Sequence, residues 1–560
     1  MSAGEFTALD PWDLKEPVFV DCRRPHSFYD FVAWCTNGTS ASLPVSRICN
    51  IMRKRQHTHS GSGEDSPLTV VAETLRAGTP GSNVDDRLIS EYLKDDVASS
   101  LLRVSLFLGE VKTVGDVRPG LQDAYQGYFI LKKVTPAKAK PFGHVFEAVI
   151  HASAGLLNNY VHAQGSFPQQ VCGCNFTVRG SYFAQQNALT TVCAHDSLLS
   201  ALMNLPNGPS ETAVREQLHA ALTPPPNAGG PKLHQMVDAL GRLGIACKVQ
   251  DLEGARQPED YRGLVYATIE SGYPAIIIFT TANAKERHAI TVVGHTLNSD
   301  TWFPEVEFGY GHGSPGPKFH PTYDWAPHWL VNDGNLGMYF CLEAGRMRLG
   351  PEAAAPAEAP FRAGREPLKA VAVIGLYEND PEIVIANAEI KVAYLLDVFA
   401  QTLLDQVVEP TDAEARWLRR LVDTCRAGNF SPGPILRTFQ TDREKYLAHM
   451  FGEPDWNNNT FLPEERKALT KSLLQVLPNK VWVTEFTLVN LYTANRRKLG
   501  EVVYTGRWSN TNAILGEGLC FVRAPGIAWF PTIPQVAGTS VTSHTGIMRP
   551  LATSIGQPEY

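Results

Sequence analysis

The most informative segment of the chain reads Thr190-Thr-Val-Cys-Ala-His-Asp-Ser-Leu-Leu-Ser-Ala-Leu-Met203. Its apolar residues from Ala194 onward recur at helical spacing, and the two threonines at its start are suitable helix caps. Cys193 is therefore predicted to lie in the first turn of a helix. A thiol there is close to free backbone N–H groups and to the positive end of the helix dipole, and both lower its pKa. A reactive cysteine is one interpretation, and a small buried side chain at a helix start is the other.

Two glutamines, Gln185 and Gln186, precede this helix. A side-chain amide beside the thiol can donate a hydrogen bond to an oxyanion, with the backbone N–H of Cys193 as a second donor. Both glutamines are therefore candidates for an oxyanion hole.

A candidate base lies in the segment Gly272-Tyr-Pro-Ala-Ile-Ile-Ile-Phe-Thr-Thr-Ala-Asn-Ala-Lys-Glu-Arg-His-Ala-Ile-Thr-Val-Val-Gly294. Two apolar runs separated by a polar turn predict two strands, with His288 at the start of the second. An imidazole there can face another element across a cleft and take the proton of a thiol. His195 is a competing base, but it lies two positions after Cys193 on the helix and points to another side, so we expect only a minor structural or pocket role for it.

The third member of a triad would be a carboxylate or amide that fixes the imidazole tautomer. Asp333 ends the strand-like run of Trp329-Leu-Val-Asn-Asp-Gly-Asn-Leu-Gly337, so it can face His288 from a neighbouring strand. Asn298 and Asp300 are rivals, but they follow the His288 strand directly and are expected in its far turn. We favour Asp333, for which an ordinary Asp-Gly turn is the alternative interpretation.

These segments resemble the papain-like cysteine peptidases, and most closely the bacterial type that trims double-glycine leader peptides. The resemblance covers about residues 180–345 and includes Leu233-His-Gln-Met-Val-Asp-Ala-Leu-Gly-Arg-Leu-Gly-Ile-Ala-Cys-Lys-Val249, a predicted helix followed by a strand. It implies that Cys193 is the nucleophile, that His288 is the general base and acid, that Asp333 orients the imidazole, and that a glutamine completes the oxyanion hole.

The chain departs from this family at three points. The family's glutamine usually precedes its cysteine by six residues, whereas Gln186 and Gln185 precede Cys193 by seven and eight. Ala-His-Asp follows the cysteine in place of the usual glycine, and the transporter segments of the leader peptidases are absent from the sequence. Which glutamine serves the oxyanion hole therefore stays open.

Patterns of breakers and periodicity divide the chain into four parts. We expect a mixed α/β N-terminal domain over 1–150, with a helical run around Asp86–Leu108. A papain-like catalytic domain is expected over 151–350, in which a helical half precedes an antiparallel β half. A linker of Pro, Ala and Glu follows over 351–367, and then an α+β C-terminal domain over 368–560. The fold class is α+β.

The composition is that of a soluble globular protein. The 560 residues are 44% hydrophobic and 19% charged, which excludes collagen-like, coiled-coil and wholly disordered chains. With 50 Lys+Arg against 57 Asp+Glu, the net charge of −7 gives no global reason to expect nucleic acid or an anionic membrane as a partner.

The ten cysteines are scattered, apart from Cys172-Gly-Cys174. This distribution is typical of free thiols in a reducing compartment. The first residues lack a secretory signal pattern, and the longest apolar runs fall short of the ~18 residues that a membrane-spanning helix needs. We therefore expect a cytoplasmic protein without membrane contact.

Cofactor and metal signals are weak. The Cys172-Gly-Cys174 pair, with His151 or His162 nearby in sequence, lacks the second ligand pair of a zinc site, so we expect neither a metal nor another cofactor. Trp302 and Trp329 are close enough in sequence to the triad to line a substrate cleft, although core packing is the default for large aromatic residues.

Three functions are compatible with these residues. The first is a cysteine peptidase or isopeptidase acting on a protein or peptide. The second is acyl transfer of the transglutaminase or deamidase type with the same triad. The third is a papain-like binding scaffold without activity. A regulatory partner on the flanking domains is a further expectation.

Overall fold

The structure, a computed structural model, describes residues 6–37, 39–59, 68–75, 82–151, 159–187, 193–222, 231–253, 261–281, 287–296, 319–344, 368–379, 381–406, 416, 419–421, 423–424, 433–452, 464, 471, 473–474, 477–489, 491, 497–514, 516–524, 527–529 and 552–553. These residues form two compact units. The first unit takes the described residues within 1–261, 272–296 and 328–380. The second takes those within 262–271, 297–327 and 381–560.

The N-terminal part of the first unit is an antiparallel sheet of seven strands with buried helices. In order across the sheet, the strands are β1 (Val18–Asp21), β2 (Leu68–Leu75), β3 (Val97–Leu108), β4 (Tyr125–Pro136), β5 (Phe142–His151), β8 (Cys174–Phe183) and β7 (Gly165–Val171). The helices are α1 (Pro25–Cys35), α2 (Ser42–His59) and α3 (Ser82–Leu93). Apolar residues of α1, α2 and the sheet, such as Phe31, Ile48 and Val70, share one core.

The sequence pattern around Asp86–Leu108 predicts a single helical element, and the structure differs there. Helix α3 ends at Leu93, and β3 starts at Val97. Lys94 has a φ of 51°, the left-handed conformation that commonly follows the end of a helix. From Leu102 to Leu106, apolar residues alternate with Arg103 and Ser105, a period that suits a strand.

A second antiparallel sheet completes the first unit. Its strands in order are β14 (Gly337–Glu343), β13 (His328–Asp333), β11 (Arg287–Thr296), β10 (Ala275–Thr281), β15 (Leu368–Tyr377) and β9 (Ala246–Asp251), and β6 (Asn159–Val161) also pairs with β11. The helices α4 (Cys193–Met203), α5 (Glu211–Leu222) and α6 (Leu233–Arg242) precede most of these strands. Helix α4 packs on β11.

The structure divides the chain at other places than the sequence patterns suggest. Strand β8 lies beyond residue 150 but pairs with β5 in the N-terminal sheet. Strand β15 follows the Pro/Ala/Glu segment but lies between β10 and β9. The expected linker over 351–367 lies outside the described residues. Local composition indicates where a strand occurs but not which distant strand it pairs with. The sheets to which β8 and β15 belong can therefore be read only from the tertiary structure.

The second unit contains a six-stranded sheet. Its strands in order are β12 (His320–Pro321), β16 (Ile435–Asp442), β17 (Lys480–Thr487), β19 (Gly500–Tyr504), β20 (Leu519–Ala524) and β21 (Ile527–Trp529), of which only β12 and β16 are parallel. Its other elements are α7 (Tyr261–Glu270), α8 (Ile385–Gln406), α9 (Arg443–Gly452) and the pair β18 (Arg497–Lys498) and β22 (Ala552–Thr553).

Helices and antiparallel sheets together make the chain α+β, as the sequence predicts. In the parts of the chain that the structure describes, no helix combines the length and apolar character needed to cross a membrane.

Candidate active site

Cys193 is the first residue of α4, where the sequence predicts it. Two side-chain hydrogen bonds join this helix to β11. The Ser197 hydroxyl donates to the Ala289 carbonyl oxygen at 2.7 Å, and the Thr291 hydroxyl donates to the Ser197 carbonyl oxygen at 2.7 Å. Because β11 also carries His288, these bonds set the position of the thiol relative to the imidazole.

Asp333 lies beside His288 because β11 and β13 are adjacent strands, in which Thr291 faces Asn332. Asp333 Oδ1 accepts the backbone N–H of Asn335 at 2.8 Å, which fixes the carboxylate in a turn. The other oxygen, Oδ2, lies 2.9 Å from His288 Nε2. The two interpretations of Asp333 are therefore compatible, since one oxygen holds the turn and the other contacts the imidazole.

The pKa values of the thiol and the imidazole shift in opposite directions. Burial raises the pKa of Cys193, but the hydrogen bond and charge of His288 and the backbone groups of Ala289 and Ala194 outweigh burial, so the pKa falls below its ordinary value. Burial lowers the pKa of His288, but hydrogen bonds with Asp333 and Cys193 outweigh it and raise the pKa to about 10. This electrostatic pattern favours a thiolate beside an imidazolium.

An aromatic side chain covers the imidazole. Phe279 on β10 pairs directly with His288, and the two rings meet edge to face at a centroid distance of 5.5 Å. The His288 side chain is 17% exposed and that of Asp333 is 1% exposed. Because the hydrogen bond between them is largely shielded from water, it is stronger than an exposed one.

The structure separates the roles of the two glutamines. The Gln185 side-chain oxygen accepts the Val145 N–H at 2.9 Å, and its Nε2 donates to the Ser40 carbonyl oxygen at 3.1 Å. The Gln185 side chain thus joins segments of the first unit, contrary to the expectation that it could serve the oxyanion hole. The Gln186 N–H donates to the carbonyl oxygen of Gly334, the residue after Asp333, at 3.2 Å. Only Gln186 has its backbone fixed beside the triad.

Trp329 has the environment of a core residue. It is 0% exposed, and its indole N–H donates to the Tyr261 hydroxyl at 3.1 Å. This placement does not support the expectation that Trp329 lines a substrate cleft. Trp302, Asn298 and Asp300 lie outside the described residues.

His195 is buried on α4, and burial lowers its pKa to about 4. It is therefore neutral at physiological pH. The structural role that the sequence assigns to it agrees with this environment.

Cys172 lies in the tight turn between β7 and β8, and Cys174 is the first residue of β8. Cys172 and Gly173 have φ values of 48° and 83°, as a two-residue hairpin turn requires. Cys174 Sγ lies 3.1 Å from the Val117 carbonyl oxygen. Among the described residues, neither thiol belongs to a cluster of three metal-ligating side chains.

Sequence reasoning missed the side chains that support the triad. Phe279 occurs in the quoted hairpin, and its contact with His288 depends on the register across a turn that the sequence leaves undefined. Ser197 and Thr291 are ordinary polar residues with no motif. Only their polarity at otherwise buried positions of α4 and β11 signals that they need partners.

Comparison with known proteins gives no match to any family model, curated protein or solved structure. The function has to be inferred from the residues and their geometry.

Proposed function

We propose that the protein is a cysteine hydrolase that cleaves a peptide or isopeptide bond through a thioester on Cys193. One observation carries the proposal: three different elements bring Cys193, His288 and Asp333 together, with His288 Nε2 2.9 Å from Asp333 Oδ2 and with His288 close enough to Cys193 for the two groups to shift each other's pKa. The lowered pKa of the thiol and the raised pKa of the imidazole are what an activated cysteine nucleophile requires.

The reaction follows from the groups present. The Cys193 thiolate attacks the acyl carbon and forms a C–S bond, while the carbonyl oxygen becomes an oxyanion opposite the Cys193 N–H and the Gln186 amide. As the C–N bond breaks, the imidazolium of His288 gives its proton to the leaving amine. Because the Nε2–H of His288 is directed at Asp333, the proton that passes to the amine is the one on Nδ1. Water then loses a proton to His288 and hydrolyses the thioester, which restores the thiol.

The proposal includes a papain-like arrangement for the elements from α4 to β14 and a protein or peptide substrate. The order of a helix with the nucleophile, a strand with the base and a neighbouring strand with the orienting residue supports it. No disulfide bond joins the cysteines in the described part of the chain. The proposal assumes a cytoplasmic location, a compartment that keeps thiols reduced.

Thiol labelling tests the nucleophile without knowledge of the substrate. We expect iodoacetamide to alkylate Cys193 faster than the other cysteines at pH 6–7, as measured by peptide mass spectrometry. The rate should change again as the pH rises through about 10, where His288 loses its proton. The variant Cys193→Ala should lose the fast reaction, whereas Cys341→Ala, which removes an exposed thiol, should keep it. A slow Cys193 with an ordinary pH profile contradicts the proposal and favours a binding scaffold.

The reaction type can be tested by incubating the full-length protein with a mixed peptide library that contains glutamine and lysine. Cleavage, deamidation and crosslinking change peptide masses in different ways. We expect cleavage products that are absent with Cys193→Ala. Crosslinked or deamidated products alone would assign acyl transfer instead.

A further inference from the structure

Asp196 lies one helical turn after Cys193, on the same side of α4. Its side chain is 4% exposed, and Oδ2 has no hydrogen-bond partner among the described residues. The hydrolase mechanism proposed above does not use this carboxyl group. A charged carboxylate with an unsatisfied oxygen is very unfavourable in such a place.

The unsatisfied oxygen faces the turn that follows Asp333. A Cβ atom placed on Gly334 would lie 3.3 Å from Asp196 Oδ2, 3.4 Å from Asp196 Cβ and 3.6 Å from the Gln186 nitrogen. Gly334 therefore packs against Asp196. It directly follows Asp333 in the chain, and its carbonyl oxygen accepts the N–H of Gln186, the remaining oxyanion-hole candidate.

The backbone at Gly334 does not itself demand glycine, because its φ lies outside the left-handed region, unlike that of Gly337, at 119°. What restricts residue 334 is the approach of Asp196. A methyl group there would be closer to Asp196 Oδ2 than ordinary van der Waals contact allows.

Four charged or titratable groups act on Asp196. Burial raises its pKa well above the ordinary value, Arg215 on α5 and His288 on β11 lower it, and Cys193 and Asp85 on α3 raise it. Burial outweighs the two cations. Ionisation of this carboxyl group, which would add a second negative charge beside the thiolate, is therefore disfavoured.

We propose that Asp196 is a positioning residue whose uncharged carboxyl group packs against Gly334 and thereby holds Asp333 and Gln186 at their places around Cys193. The inference rests on the proposed hydrolase function. It assigns Asp196 no contact with substrate and makes the size and neutrality of its side chain the two properties that matter.

A double-mutant cycle tests the packing contact, with iodoacetamide alkylation of Cys193 at pH 6 in the full-length protein as the measurement. Gly334→Ala should lower the rate about tenfold, because the added methyl group pushes the turn and Asp333 away from His288. Asp196→Ala should lower it similarly, because the turn loses its support. The double variant should react faster than either single variant, since the methyl group added at residue 334 then occupies the vacated space. Gly241→Ala on α6, where a Cβ meets open space, is the matched control.

A conservative variant tests neutrality. Asp196→Asn keeps the size of the side chain without an ionisable group, so it should restore most of the rate that Asp196→Ala loses and keep the pH profile of Cys193 below pH 8. If Asp196 were ionised, Asp196→Asn would remove an anion beside the thiol and shift the ionisation of Cys193 to lower pH. That shift would overturn the inference.

The outcomes separate the two proposals. Fast Cys193 in the wild type, with additive effects of Gly334→Ala and Asp196→Ala, overturns the role of Asp196 and leaves the hydrolase proposal intact. A slow Cys193 in the wild type overturns both. If thermal unfolding shows that Asp196→Ala does not fold, the double variant Asp196→Asn/Gly334→Ala replaces it. Because asparagine has the size of aspartate, we expect this double variant to keep the lowered alkylation rate of Gly334→Ala.

Discussion

Two clusters of buried charged side chains differ in a way that bears on function. In the second unit, Arg437 donates to both Glu270 and Glu485, and all three side chains are at most 3% exposed. In the first unit, the Cys193–His288–Asp333 triad contains one ion pair, between His288 and Asp333, and His288 is 17% exposed. The Arg437 cluster is sealed from solvent, whereas the triad is open to solvent at His288.

The two clusters also differ in where their charge comes from. The guanidinium of Arg437 is always charged, so its pairs with Glu270 and Glu485 are permanent. The charges of Cys193 and His288 arise when a proton moves from the thiol to the imidazole. A perturbed pKa alone therefore does not mark a functional site, and the useful signs are a group that can change protonation and an opening that a ligand can reach.

The largest effect is expected from breaking the sealed cluster. Arg437→Met removes the cation that Glu270 and Glu485 share, and Glu485 alone keeps Lys498 at 3.3 Å, so the free energy of unfolding should fall by about 3–5 kcal/mol. Urea unfolding followed by tryptophan fluorescence measures it. Arg507→Met is the matched control, because its ion pair with Glu382 is exposed and should contribute at most about 1 kcal/mol. Equal losses from the two variants would contradict the distinction between sealed and exposed pairs.

The triad should respond in reactivity more than in stability. Asp333→Asn removes the charge that raises the pKa of His288, so that pKa should fall from about 10 and the thiolate should become less favoured. We expect the alkylation rate of Cys193 at pH 6 to drop at least about tenfold, the equivalent of one pKa unit. Asp238→Asn, an exposed carboxylate on α6, is the control. An unchanged rate would show that Asp333 is only a turn residue.

The smallest effect is expected on the pH dependence of stability, from Glu147, a buried carboxyl group of the first unit that changes its protonation state with pH. Burial and the nearby Glu211 raise the pKa of Glu147 to about 8. A raised pKa in the folded state gives stability that is complete below about pH 4.5 and is lost as the pH rises through about 8. Glu147→Gln cannot ionise, so its melting temperature should fall less than that of the wild type between pH 5 and pH 9. Glu216→Gln, an exposed residue of α5, should follow the wild type.

Much of the local structure could be predicted because it depends on short-range patterns. The start of α4 at Cys193, the strands on either side of the turn before His288, and the end of β13 at Asp333 all follow from periodicity and turn chemistry. The prediction of a single helical element around Asp86–Leu108 was wrong, since a mixed apolar pattern fits both periods and the left-handed Lys94 is not signalled by the sequence. The membership of β15 in the second sheet was missed for a different reason, since strand partners are set by distant segments.

Short-range patterns were enough to place residue types at the ends of helices and strands, and they named Cys193, His288 and Asp333. That Asp333 faces His288, that Gln185 is engaged elsewhere and that Asp196 is buried against Gly334 emerges only in the folded chain. The physical reason is that helix and strand periods act over a few residues, whereas strand register, burial and proton affinity depend on groups that are far apart in the chain and meet only in the folded state.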